Sequence, residues 1–247
     1  MFYRPEAGHG LPHNPFSAII APRPIGWISS RGPEGDNLAP YSFFNAFSDN
    51  PVVVGFGCGP RAPGALKDTV ANIEATGQFV VNMVSADLAE KMNITAVDFP
   101  PGVSEITEAG LSTAPSTKVD VPRIAQSPVS LECEIFQFVP AGRHIIVLGK
   151  VVGMYVQDDC VMDPAKYYID TPKLDLVGRM HGRGWYARTT DRIDLGVRGS
   201  DACRQHGAED QETESHVAPP MRNGIRSDRG PGRCRALAIF RPNGGPT

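Results

Sequence analysis

Residues 21–44 read APRPIGWISSRGPEGDNLAPYSFF, the densest stretch of the chain. Two apolar, strand-like runs, PIGWIS and LAPYSFF, flank a turn-rich joint, SRGPEGDN. Each run contains a proline, Pro24 or Pro40, which cannot donate to a sheet ladder. Ser, Asn and Trp stand where Val and Ile would pair better. Two explanations fit broken strands of this kind. The prolines protect an edge or shape a turn. Alternatively, they leave backbone N–H and C=O groups to face a ligand. Ser29, Ser30, Asn37 and Ser42 would then supply short polar contacts, and Trp27, Tyr41 and Phe43 flat apolar surface. A planar heteroaromatic ligand with a polar edge would use both.

Outward from this stretch, further runs rich in Val, Ile and Phe are bounded by Pro, Gly or Asn. The predicted strands are SAIIAPRPIGWISS, NLAPYSFFNAF, PVVVGFGC, QFVVNMV, PVSLECEIFQFV and HIIVLGKVVGMYV. Part of LECEIFQF alternates, as a half-buried antiparallel strand does. Two helices are predicted. ALKDTVANIEAT places Leu66, Val70 and Ile73 on one face and ends at Gly77 as its cap. SADLAEKMNIT opens with Ser85 as N-cap and Asp87 in its first turn. Strands outnumber helices and do not alternate with them, which predicts a barrel or mixed sheet, mainly β, over a doubly wound fold.

The chain divides near residue 195. Residues 196–247 contain Arg but no Lys, and only ALAIF among them has packing potential. Such a composition is that of a disordered, low-complexity tail or of a shifted reading frame, since little apolar surface offsets the ordering entropy. The 247 residues suffice for one or two domains, and an apolar fraction of 41% suffices for a core. A formal charge of −3 gives no electrostatic case for nucleic acid or anionic membrane. No apolar run approaches the roughly 18 residues of a membrane span, and MFYRPEAGHG lacks a signal-peptide core. The five cysteines are widely spaced with no C-x-x-C, which points to a reducing cytoplasm.

Several motifs suggest chemistry. In VVVGFGCGPRAPGALKDT, Gly57, Gly59 and Ala62 fit G-x-G-x-x-A, a dinucleotide fingerprint. Pro60 and Pro63 delete the donors that such a turn needs, and no further βαβ unit flanks it, so an ordinary strand–helix connection accounts for it better. The helix start GALKDTVAN is more informative. Lys67 and Thr69 fall where unpaired N–H groups and the positive dipole end favour an anion; a solvated lysine beside Asp68 is the plainer alternative. The six histidines form no H-E-x-x-H and no Cys/His cluster, so no metal site is expected. No G-x-S-x-G elbow is present for acyl transfer. His144, opening the strand in AGRHIIVLG, and His181, in the loop VGRMHGRGWYART, are functional candidates, though a lone histidine is more often structural.

Three segments in the same order, APRPIGWISSRGPEGDNLAPYSFFNAFSDNPVVVGFG, KDTVANIEATGQFVVNMV and GRHIIVLGKVVG, resemble the flavin-reductase-like, FMN-binding split-barrel family, which includes flavoredoxin-like flavoproteins. VGRMHGRGWYARTTD is similar to the closing motif of many members. The resemblance covers roughly residues 14–195, and its combination of R-P-I-G-W-I-S, N-L-A-P-Y-S-F-F and K-D-T-x-x-N is specific. It implies a Greek-key split β-barrel with peripheral helices over 1–195, a homodimer, and FMN near the subunit interface. Trp27, Ser29 and Ser30 would line the flavin and its phosphoryl chain. Asn37, Leu38, Ala39, Pro40, Tyr41, Ser42 and Phe43 would edge the isoalloxazine, and Lys67, Asp68 and Thr69 would serve the phosphate. The implied activity is NAD(P)H:flavin reduction, hydride passing from the nicotinamide to the flavin, with His144 or His181 contacting the nicotinamide or managing a proton. The alternative is a non-catalytic FMN-binding electron-transfer protein reduced by a partner. A monooxygenase or electron-transfer partner would receive the electrons. Some members that reduce free flavin carry Gly-Asp-His where this chain has Gly142-Arg143-His144, a departure that bears on the nicotinamide donor.

Truncation after Leu195 is expected to leave the melting temperature and the flavin content of the purified protein unchanged. An insoluble or flavin-free product would show that residues 196–247 do contribute.

Overall fold

A computed structural model of the chain describes residues 2, 4–8, 10–11, 15–61, 66–100, 102–166, 168–182, 184–191 and 193. The tail expected at 196–247 lies outside the described residues. Seven strands form the main sheet: β1 (Gly26–Gly32), β2 (Gly35–Tyr41), β3 (Phe44–Asp49), β4 (Val52–Cys58), β5 (Gln78–Asn82), β6 (Val129–Ala141) and β7 (His144–Val156). Their order is β2-β1-β5-β6-β7-β4-β3, and every pairing is antiparallel. That pattern excludes the βαβ unit which the Gly57/Gly59 fingerprint would require.

The two edge strands, β2 and β3, are consecutive in the chain and joined by Ser42 and Phe43 alone. Three virtual Cα–Cα steps of about 3.8 Å span at most about 11 Å. Seven strands laid flat at about 4.8 Å spacing would separate the edges by about 29 Å. The sheet therefore has to roll up. Two register shifts in the β6–β7 ladder, at Leu148/Gly149 and Val151/Gly153, supply bends for this curvature. The tight β6–β7 connection places Gly142 at φ 62°, which a glycine adopts without strain.

Inside the roll, Ile28, Tyr41, Phe44, Phe56, Phe79, Val81, Cys133 and Val147 form one core, joined by Val70 and Ile73 of helix α1 (Asp68–Thr76). Phe56 and Phe79 meet edge to face, 5.7 Å apart. Helix α1 ends as predicted, with Gly77 left-handed and its N–H donating to the Ile73 carbonyl. Its start differs from the prediction. Lys67 is extended and caps the helix, so Leu66 lies in the lead-in and is exposed.

β1 is buried on both faces. Ile28 points into the roll, while Trp27 packs with Ile25, Leu38, Leu88, Met92 and Ile124 on the outer side. Asn82 ties this region together. Its amide nitrogen donates to the Trp27 carbonyl and to Ser29 Oγ, and its oxygen accepts from the Ile124 N–H and Ser130 Oγ.

SAIIAPRPIGWISS is not one strand. It divides into a helical turn, Phe16–Ile19, a two-residue strand, Arg23–Pro24, and β1. Arg23–Pro24 pairs with Val177–Arg179 at one edge of a separate three-stranded sheet. Pro24 and Pro40 thus both sit on edge strands, where a missing N–H costs no ladder bond.

Gly149 faces the Phe79 ring so closely that a Cβ there would lie 2.3 Å from Phe79 Cζ. Phe79 is fully buried and cannot swing away. Gly149→Ala should therefore destabilise the fold by about 1–3 kcal/mol through overpacking. Urea denaturation should show a lower midpoint with an unchanged slope.

Candidate functional site

The edge strand β2 and the start of α1 converge on one cleft. Asn37, Ala39, Pro40 and Tyr41 contribute one wall, and Lys67, Asp68 and Thr69 the other. Seven of the residues singled out in the sequence thus meet in one place. Because β2 is an edge, its outer N–H and C=O groups are outside the ladder. The first N–H groups of α1 have no intrahelical partner either. Asn37 links the two walls: its side-chain oxygen accepts from Thr69 Oγ1 at 2.8 Å, and its amide donates to Glu105 at 2.9 Å.

The charges in the cleft are mixed. Arg61 pairs with Asp68 at 2.9 Å, and Lys67 lies 3.9 Å from Asp98, all at partly exposed positions. Glu105 adds a third carboxylate to the lining. An anion at the start of α1 would take the place of Asp98 beside Lys67 and Arg61. Tyr41 is buried beneath the cleft floor, and the Cys58 thiol donates to its hydroxyl at 3.7 Å. Burial, with the neighbouring Cys58 adding, pushes the Tyr41 hydroxyl well above the usual phenol range, so it stays protonated at neutral pH. Burial likewise raises the Cys58 thiol, against smaller opposing effects of Tyr41 and Lys67. Cys58 is accordingly a packed thiol without thiolate character.

The remaining sequence candidates are dispersed. Trp27, Ser29 and Ser30 are fully buried in β1, and their polar atoms have protein partners. Trp27 Nε1 donates to Thr95 Oγ1 at 2.8 Å, and Ser29 Oγ donates to the Pro122 carbonyl at 2.7 Å. Ser30 Oγ accepts from the Asn72 amide at 3.2 Å and donates to Asn37 Oδ1 at 3.4 Å. Their position between β2 and β5 accounts for this burial. Leu38 is buried in the outer core. Ser42 and Phe43 line a second, apolar cleft together with His144.

The His144 ring is 5.9 Å from that of Phe43, and Gly59 leaves it room, since a Cβ there would approach Nε2 to 3.2 Å. His181 stacks on Trp185 in an exposed turn, the rings 6.0 Å apart and nearly parallel. It is not among the described residues that line either cleft. Arg61, Asp98 and Glu105 were not anticipated. Arg61 stood in the rejected glycine motif, and the two carboxylates reach the cleft from loops and a helix distant in sequence.

A family model for the flavin reductase like domain matches residues 19–171. An uncharacterized protein of Deinococcus radiodurans is 46% identical over 185 residues, covering 73% of this chain and 82% of that one. One of Aquifex aeolicus is 39% identical, covering 72% and 90%. Among solved structures, the 2-nitrobenzoate 2-nitroreductase NbaA of Pseudomonas fluorescens is 34% identical with a TM-score of 0.68, covering 75% of this chain and 89% of that one. A putative flavin reductase with a split barrel domain from Shewanella frigidimarina, 21% identical with a TM-score of 0.67 over 80% and 100%, shares the fold. The rolled sheet whose edges meet at Ser42 and Phe43 is this split barrel, and the chain belongs to the flavin reductase like family.

Proposed function

We propose that the protein is a flavin-dependent oxidoreductase that holds FMN in the β2–α1 cleft and takes electrons from NADH or NADPH. One observation carries this reading: an unpaired strand edge and a cation-bearing helix start share a single cleft. That donor set fits the group. The outer edge of β2 offers alternating N–H and C=O groups to a planar ring with a polar rim. Lys67, Arg61, Thr69 and the N–H groups of α1 suit a phosphate. Bound flavin would supply the redox chemistry, accepting and passing on electrons. The protonated Tyr41 hydroxyl braces the floor through Cys58. His144, on the neighbouring apolar wall, brings an imidazole able to hold or release a proton. Phe43 and its neighbours make that wall apolar.

The names of two similar proteins agree with an oxidoreductase: the nitroreductase above, and component B of a nitrilotriacetate monooxygenase from Bacillus cereus, 28% identical with a TM-score of 0.68 over 76% of this chain and 100% of that one. We include a homodimer and a cytoplasmic location in the proposal, with a monooxygenase or electron-transfer protein as the receiver of electrons.

The purified protein should show a flavin absorption band after mixing with FMN, and should oxidise NADH or NADPH in the presence of excess FMN. A yellow protein inert to both donors would favour the electron carrier. A protein that binds no flavin would remove the proposal.

Lys67→Ala tests the phosphate end. A hydrogen bond to a charged group contributes about 1.5–3 kcal/mol, and about 1.4 kcal/mol is tenfold in affinity. The Lys67 side chain is 37% exposed and already near Asp98, so about tenfold weaker FMN binding is expected, with a larger effect at low salt. Riboflavin lacks the phosphate, and its affinity should not change. Equal FMN affinity in both proteins would show that Lys67 is a solvated surface lysine.

A further inference from the structure

Arg23 and Arg179 stand directly opposite each other where Arg23–Pro24 pairs with Val177–Arg179. Opposed residues of an antiparallel pair project to the same face, and like charges there are destabilising. Among the described residues, neither guanidinium has a carboxylate at ion-pair distance. Arg179 is occupied by neutral groups, donating to the Tyr186 hydroxyl and the Gly182 carbonyl. Arg23 is only 9% exposed. Its Nη1 donates to the Ser17 and Ile20 carbonyls, and its Nη2 donates to the Met180 carbonyl at 3.3 Å. Its Nε is buried with no partner.

Elsewhere in this chain the same Nε–Nη2 edge of an arginine grips a carboxylate side-on, Arg31 on Asp36 and Arg188 on Asp175. On Arg23 that edge has one long carbonyl contact and one orphaned N–H. Arg23 also borders the apolar cleft that Phe16, Phe43, Phe47, Ile146 and His144 help to line, and its Cζ is 5.9 Å from the Phe43 ring centre. Burial, with Arg179 adding, lowers the pKa of Arg23 from the usual guanidinium value, and an anion would offset both effects by favouring the charged form.

We propose that this cleft binds planar aromatic carboxylates, the ring between the phenylalanines and the carboxylate on the Nε–Nη2 edge of Arg23, with Arg179 as the second cation. The carboxylate replaces the Met180 carbonyl on Nη2 and fills the orphaned Nε. Apolar walls select a flat, singly charged ligand, because desolvation costs grow with charge. The ligand's role as a reaction partner rests on the flavin proposal above, since Ser42 and Phe43 belong both to this wall and to the segment assigned to the flavin edge.

Calorimetric titration of the full chain with benzoate and with its neutral isostere benzamide tests the site, beside a separate FMN titration followed by fluorescence. Benzoate should bind at least about tenfold more tightly than benzamide, as a charge-assisted two-pronged contact implies. Arg23→Gln should erase that preference and leave FMN affinity unchanged. Arg179→Gln, which spares the carbonyl contacts of Arg23, should reduce the preference and carries the test should Arg23→Gln not fold. Equal binding of the two ligands, binding of neither, or a preference that survives both substitutions would overturn the proposal. So would binding of 2′-phospho-ADP-ribose in place of benzoate, lost in both variants, which would make this a nucleotide phosphate site. A benzoate preference in a protein that binds no FMN would leave this site standing and remove the flavin proposal alone.

Discussion

Ser42 and Phe43 carry the chain from one edge of a seven-stranded sheet to the other, and a link that short admits no flat sheet. Rolling is the only geometry that satisfies it. The same constraint leaves β2 and β3 as neighbours that never pair, so the barrel has a seam. An open edge is normally a liability, inviting another chain to add a strand. Pro40 blunts it by removing a donor, and the start of α1 lies against its outer side. The cleft occupies what would otherwise be a pairing surface.

Electrostatics in this cleft are balanced rather than strongly positive. Lys67 and Arg61 face Asp68 and Asp98, with Glu105 nearby. A site of this kind does not collect anions by its long-range field. In the flavin proposal it would discriminate by geometry, because a phosphate would have to match the helix N–H groups and the Thr69 hydroxyl to replace a carboxylate already in place. The apolar cleft around Phe43 is different in kind. Arg23, on its border, has main-chain partners, Arg179 opposite has a carbonyl and the Tyr186 hydroxyl, and among the described residues neither has an acidic partner, so charge there is uncompensated. The segment from Asn37 to Phe43 borders both environments, polar on its strand and apolar at its end.

Much of this was legible in the sequence. Runs of Val, Ile and Phe bounded by Gly and Pro marked β4 to β7, and Gly77 marked the end of α1, because these signals are local. HIIVLGKVVGMYV coincides with β7, His144–Val156. What failed depended on context. SAIIAPRPIGWISS reads as one strand by apolar content, yet its N-terminal part turns into a helix whose carbonyls Arg23 holds. Leu66 fits the apolar face of α1 by spacing, but the helix begins two residues later. Ser29, Ser30 and Trp27 have the chemistry of ligand contacts, and only the packing on both faces of β1 shows that their polar atoms have protein partners. Asp98 and Glu105 carry no local mark, since their place in the cleft is set by where loops distant in sequence return.

The Asn82 amide has a consequence that reaches the cleft. Both of its donors and both acceptor positions of its oxygen are occupied, by Trp27, Ser29, Ile124 and Ser130. Sliding β1 along β5 by one residue would break the two contacts with β1, to the Trp27 carbonyl and to Ser29 Oγ, in a buried interior, so the shifted alignments lie above the native one. β2 takes its alignment from β1, pair by pair from Gly26 opposite Tyr41 to Gly32 opposite Gly35. The rotational phase of the cleft wall, meaning which of Asn37, Leu38, Ala39 and Tyr41 look outward, is therefore dictated by a side chain that never touches it.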